Sequence, residues 1–165
     1  MSDVYVRTFF NFVKETQQQT GYTFPESVEA YLVFLLADRT TKNTLIPDPS
    51  FAEKYLQLYN NTNPEEIKQF ADDCLFFTSL MPMWGKRRGL GMDYYASLGI
   101  SSYYAYSDLT NKLFYTQLGN WFYTLRDFLE LAMNRSPAAI EDLKYLADSG
   151  SRTAKNKLIS DKDIG

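Results

Sequence analysis

The one clustered basic run in this chain is Lys86-Arg87-Arg88, bracketed by Gly85, Gly89 and Gly91. Guanidinium groups beside glycine-exposed amides at the start of a helix suit a phosphate or a carboxylate. The residue order fits neither a P-loop nor a dinucleotide-binding fingerprint. The simpler reading is a solvated basic turn, or arginines paired with acids of neighbouring helices. Trp84 precedes the run, and Tyr94, Tyr95 and Tyr103 follow it. Rings with convergent hydroxyls could line a small-molecule pocket, since such sites are mostly apolar with a few polar groups. The competing reading is a ring-rich core.

Other reactive types are poorly placed for chemistry. Asp72 and Asp73 are consecutive, so on a helix they point to different sides and do not form a carboxylate pair. Asp127 and Glu130 share a face, but an acidic pair without histidine is a poor metal site. Cys74 shares a helical face with Phe70 and Ala71 and has no adjacent base, which marks a buried small hydrophobe rather than a nucleophile.

Composition narrows the function classes further. The chain has no histidine and one cysteine. Ser-His-Asp triads, Cys-His pairs, histidine-ligated haem and carboxylate-histidine di-iron centres are therefore excluded, as are thiolate zinc sites and intramolecular disulfides. A formal net charge of -3 argues against a dedicated nucleic-acid binder, which usually carries a basic excess. The N-terminal residues lack the basic-then-apolar pattern of a secretory signal. No window approaches the roughly 18 to 20 apolar residues of a membrane span. The expectation is a cytoplasmic chain with no membrane partner.

The elements that must position these residues read as helices throughout. A chain of 165 residues with 45% hydrophobic and 16% aromatic residues can bury a ring-heavy core, removing roughly 70% of its unfolded surface from water. A first helix is expected over about residues 3 to 19, ended by Gln17-Gln18-Gln19 and Gly21, with Val6, Phe9, Phe10 and Val13 on its inward face. A second begins near Thr23, where Thr23 and Glu26 have capping-box spacing and Pro25 suits a first turn. Val28, Tyr31, Leu32, Leu35 and Leu36 form its apolar stripe, with Glu26 and Glu29 off the stripe and solvated. Residues 39 to 49 read as a loop, and 50 to 59 as a short helix.

Asn63 then caps a helix with Pro64 at its first position, running to about Leu80 with Ile67, Phe70, Ala71, Cys74, Leu75 and Phe77 inward. After the 81 to 91 connection, Asp93 opens a helix whose tyrosines occupy more than one side, the pattern of a central element. Gly99, Ser101, Ser102 and Ala105 would allow another helix to approach it closely. One long helix is expected from Thr110 to Met133, with Leu113, Leu118, Trp121, Phe122, Leu125, Phe128, Leu129 and Ala132 inward. Gly119 is its close-packing point. A further helix follows Ser136-Pro137. No stretch alternates long enough to be a strand. The fold class is all-α: a single-domain bundle of six or seven helices over residues 1–150, followed by a helical or frayed tail, 151–165.

Several short motifs, taken together, carry a resemblance. They are Glu29-Ala30-Tyr31-Leu32-Val33 with Leu35-Leu36, Asp73-Cys74-Leu75-Phe76, Arg88-Gly89-Leu90 followed by Asp93-Tyr94-Tyr95 and Leu98-Gly99, and Asp148-Ser149-Gly150-Ser151 with Ala154 and Leu158. The chain resembles an uncharacterised family of small helical bacterial proteins with no assigned activity. The resemblance implies an independent bacterial domain and adds no chemistry.

From the residues alone, the leading expectation is a non-enzymatic interaction or regulatory protein. It contacts a protein partner, or a second copy of itself, through the connection at residues 81–95. Tyr, Trp, Met and Arg are enriched at interface cores, and this connection has all four. The alternative is a binder of, or enzyme acting on, an anionic small molecule in a tyrosine-lined pocket. The candidate partner- or anion-binding residues are Trp84, Lys86, Arg87, Arg88, Tyr94 and Tyr95. No catalytic residue, metal ligand or cofactor is assigned.

Overall fold

The computed structural model describes residues 3–41, 63–80 and 92–135. Among them are six helices and no strand, so the all-α class holds: α1 (Asp3–Thr20), α2 (Glu26–Thr41), α3 (Pro64–Leu80), α4 (Met92–Thr110), α5 (Leu113–Asn120) and α6 (Phe122–Arg135). The helices expected over 50–59 and after Ser136 lie outside the described residues, as does the tail. The described helices fall into two compact units. One holds α1, α2 and α6 from Glu130 onward; the other holds α3, α4, α5 and α6 up to Leu129.

In the first unit, α1 buries Phe9, Phe12, Val13 and Thr16, the i, i+3, i+4, i+7 set of a single helical stripe. Phe10, expected inward, is instead 45% exposed, and Phe12 takes its place. Phe10 lies about 100° of helical turn from Phe9, outside the stripe. The buried Thr16 hydroxyl donates to the carbonyl of Phe12 at 2.8 Å, so no polar group is stranded. Gly21, with φ of +81°, ends α1 in the left-handed conformation that glycine adopts without steric cost. Its N–H donates to the carbonyl of Gln17 at 3.0 Å.

The Gln17 side chain then fixes how α2 begins. Its carbonyl oxygen accepts from the backbone N–H of Phe24 at 3.1 Å, and its amide donates to Glu29 at 2.7 Å. Glu29 is 5% exposed and also lies 3.1 Å from the Lys14 ammonium. This corrects the expectation that Glu29 is solvated: two α1 side chains reach it, and a paired carboxylate tolerates burial. The start of α2 is also later than the Thr23–Glu26 spacing predicts. The Pro25 carbonyl accepts from Glu29 N–H, which puts Pro25 at the cap rather than inside the first turn.

The second unit is built around α4. Asn63 caps α3 as predicted, its side-chain oxygen accepting from Glu65 N–H at 3.1 Å. Helix α3 runs antiparallel to α4. Phe77 meets Tyr95 edge-on at 5.1 Å, Asp72 accepts from the Tyr103 hydroxyl at 2.7 Å, and Glu65 accepts from Tyr106 at 3.0 Å. Each step back along α3 meets a later residue of α4. The close approach is made at Gly99, where a Cβ would sit 2.7 Å from Cys74 Cβ and 2.7 Å from Phe122 Cε2.

At its far end α4 stops at Asn111, whose φ is +57°, and the chain reverses. The Ser107 hydroxyl donates to the carbonyl of Lys112 at 3.0 Å and lies 2.7 Å from the Thr116 hydroxyl, tying the turn to both helices. α5 and α6 then run back along α4. Tyr115 packs edge-on against Tyr106 at 4.4 Å. Gly119 admits the Tyr104 ring, which a Cβ would meet at 2.5 Å. Phe122 lies 6.1 Å from the Tyr103 ring.

The central place expected for the tyrosine-bearing helix is therefore found: α3 packs on one side of it, α5 and α6 on another. The single helix expected over 110–133 is two. Trp121, with φ of −97° and ψ of 6°, interrupts it after Gly119-Asn120, a pair with low helix propensity. Because α5 starts afresh from the turn at Asn111, its phase differs from a continuous helix, and Leu113 is 80% exposed rather than inward.

Candidate functional site

Trp84, Lys86, Arg87 and Arg88 lie outside the described residues. Tyr94 and Tyr95 are described, and they part company. Tyr95 is 2% exposed and Tyr94 45% exposed, because consecutive helical residues differ by about 100° and α4 buries only the first of these directions. Their rings still touch edge-on, with centroids 5.6 Å apart. The expectation that Tyr94, Tyr95 and Tyr103 present convergent hydroxyls is corrected. Tyr95 packs on Phe77 in the core, Tyr103 is fully buried on Asp72, and Tyr94 alone of the three is at the surface.

The buried tyrosines are donors rather than reactive groups. Burial, the hydrogen bond to Glu65 and the nearby carboxylates of Glu65 and Asp72 push the Tyr106 hydroxyl above its ordinary value of 10.0. It keeps its proton and donates a hydrogen bond to Glu65. Cys74 is fully buried, and burial, with Asp73 and Asp72 adding to it, raises its thiol well above 9.0. A thiol held neutral is neither nucleophile nor metal ligand at neutral pH, which agrees with its reading as a core residue. Among the described residues no group of three or more His, Cys, Asp or Glu side chains is placed to hold a metal ion. None of their helices is long and apolar enough to cross a membrane.

The described surface at the start of α4 is built from two helices. Asp93, in the first turn of α4, lies 3.6 Å from the Arg126 guanidinium of α6. Arg126 also lies 3.3 Å from Asp127, and its guanidinium carbon sits 4.9 Å from the centroid of the Tyr123 ring. Acidic residues on both sides and a ring face below hold the guanidinium, whose side chain is 19% exposed. Tyr123 is 41% exposed and Tyr94 45%. The Phe122 ring at Gly99 and the Phe122–Tyr103 contact set the distance between α4 and α6, and so fix this arrangement from the core outward.

Tyr123 and Arg126 are functional candidates that sequence reasoning missed. Their signal was present in Trp121-Phe122-Tyr123-Thr124-Leu125-Arg126-Asp127, where one arginine interrupts an apolar run three residues after a tyrosine. That spacing places ring and guanidinium on one helical face. Comparison of the chain with protein-family models, with curated proteins and with solved structures finds no match to any of them.

Proposed function

We propose that this chain is a non-enzymatic interaction protein. It contacts a protein partner, or a second copy of itself, through the connection at residues 81–95, and the contact surface extends onto Tyr123 and Arg126. The observation that carries the reading is the half-exposed Tyr123 ring beneath an arginine already held by Asp93 and Asp127, with a second half-exposed tyrosine, Tyr94, next to Asp93 in the chain. Tyrosine and arginine are the types that dominate interface energetics. Rigid side chains lose little freedom when a partner arrives, so fixing Arg126 beforehand lowers the entropic cost of association.

The pocket reading draws less support. The hydroxyls of Tyr103 and Tyr106 are engaged by Asp72 and Glu65, and those carboxylates would repel an anion.

The experiment is site-specific photo-crosslinking in cells. Tyr94 is replaced by p-benzoylphenylalanine, and Ser101, exposed on the same helix, carries the probe in a control. A discrete crosslinked species from position 94 and none from position 101 is expected. Arg87→Ala with Arg88→Ala should abolish that species and leave melting nearly unchanged. Equal crosslinking from both positions, or a large melting loss with crosslinking intact, would refute the reading.

A further inference from the structure

We infer that the tyrosine cluster of α3, α4 and α5 is a site of one-electron oxidation, which takes the oxidising equivalent of a small radical and holds it on Tyr103. The inference is independent of the contact surface above. Tyr103 and Tyr106 hold their protons as hydrogen-bond donors, and so act as neither bases nor nucleophiles. Loss of an electron together with that proton is a different reaction, and it needs a base already within the hydrogen bond. Both tyrosines have one. The Tyr103 hydroxyl donates to Asp72 at 2.7 Å and that of Tyr106 to Glu65 at 3.0 Å. The first has the length of a charge-assisted bond from a hydroxyl to an ionised oxygen. The rings are connected through Tyr115, whose centroid lies 4.4 Å from that of Tyr106 and 6.3 Å from that of Tyr103. Tyr103 and Tyr106 are 0% and 2% exposed, whereas Tyr115 is half-buried. An electron therefore has an exit through Tyr115, the most exposed ring of the three.

With R• as the oxidant, the step is Tyr103–OH + Asp72–COO⁻ + R• → Tyr103–O• + Asp72–COOH + R⁻. The O–H bond breaks, its proton passes to Asp72 Oδ1, and the electron passes by way of Tyr115 to the oxidant. A thiolate that returns one electron, becoming a thiyl radical, reverses the step and restores both residues. Burial penalises an ionised carboxylate, and Asp72 is 7% exposed. Burial thus favours the acid that the transferred proton creates. The same burial keeps the phenoxyl from meeting a second one and coupling with it. Tyr106 is the poorer resting place. Its base, Glu65, is exposed and gains nothing of this kind. The Lys112 ammonium also lies 5.8 Å from the Tyr106 ring centroid, where a cation stabilises the electrons of the ring. Phe122, 6.1 Å from Tyr103, has no phenolic proton to give, so the oxidising equivalent does not pass on to it.

Pulse radiolysis of the full chain in azide solution tests this, with the azidyl radical as the one-electron oxidant. Rings at the surface are struck first. The oxidising equivalent is expected to move within the chain, at a rate independent of protein concentration, to a long-lived tyrosyl radical. The electron paramagnetic resonance spectrum of that radical, trapped by freezing, should show one narrow environment with an exchangeable proton bonded to the phenoxyl oxygen. Tyr103→Phe should lose the long-lived component, and so should Asp72→Asn, which cannot take the proton. Tyr115→Phe should slow its formation. Tyr94→Phe with Tyr123→Phe, at the surface, should leave it intact. Circular dichroism checks the fold of each variant, and where Tyr103→Phe or Asp72→Asn does not fold, the spectrum of the parent decides. The inference is overturned if the radical decays as fast as that of free tyrosine, or if it survives in folded Tyr103→Phe or Asp72→Asn. It is also overturned if the surface double variant removes the radical, if Tyr115→Phe forms it at the parental rate, or if the parent's spectrum shows a broad, solvent-exposed radical.

Discussion

Replacing Gly99 with Ala tests the packing that brings α3, α4 and α6 together. The added methyl would sit 2.7 Å from Cys74 Cβ and 2.7 Å from Phe122 Cε2, about 1 Å inside the normal separation of roughly 3.5 to 4.0 Å between carbon atoms. Cys74 Cβ is fixed to its backbone, so relief requires a helix to move or Phe122 to leave its rotamer. Overpacking of this kind costs about 1 to 3 kcal/mol. Alanine returns roughly 0.5 to 1 kcal/mol through its higher helix propensity. The net expectation is a loss of about 1 to 2 kcal/mol, or roughly 2 to 8 °C in Tm for a chain of this size.

Urea unfolding followed by tryptophan fluorescence and by circular dichroism would measure it, with Ser101→Ala as the exposed control on the same helix. Phe122→Leu supplies a second test. If the clash is with the ring, the double variant should be more stable than the sum of the single effects predicts, by about 0.5 to 1 kcal/mol. A Gly99→Ala protein as stable as the parent, or more so, would show that a Cβ is accommodated at this position and that the close approach does not exist.

Further expectations follow from the same structure. Tyr103→Phe removes the donor to Asp72, which is 7% exposed, and should cost about 1 to 3 kcal/mol of stability in denaturant titrations. Glu29→Ala should cost a similar amount, because it deprives the Gln17 amide of its acceptor. Lys14→Ala at the other end of that contact should cost under about 1 kcal/mol, since its side chain is 50% exposed and solvent screens the pair. Cys74 should resist thiol reagents in the folded chain and react at once on unfolding. Because its folded thiol titrates above the unfolded one, the unfolded chain releases the proton first as pH rises. The contribution of Cys74 to stability is thus full below about pH 9 and declines above it. Unfolding free energies measured at pH 8 and pH 10 should fall less steeply with pH in Cys74→Ala than in the parent.

Local signals in the sequence determined the helical class, the Asn63 cap on α3, the stop of α1 near Gly21, the buried place of Cys74 and the close packing at Gly99 and Gly119. Each depends on residues within a few positions: a side-chain oxygen two residues before an orphan N–H, a glycine free to adopt positive φ, apolar residues at three- and four-residue spacing. The candidate site was legible only in part. Tyr94 was visible as an interface type, but nothing local separated it from Tyr95.

Tertiary structure decided what depends on the far side of a contact. Glu29 is buried because Lys14 and Gln17 of another helix reach it. Tyr95 is in the core and Tyr94 at the surface because α3 packs against one direction of α4. The hydrogen bonds that set this register join residues 31 and 41 positions apart. Arg126 meets Asp93 only because Phe122 packs at Gly99. Helical periodicity states which residues share a face. Which face is covered, and by which charge or ring, is fixed by elements distant in the chain.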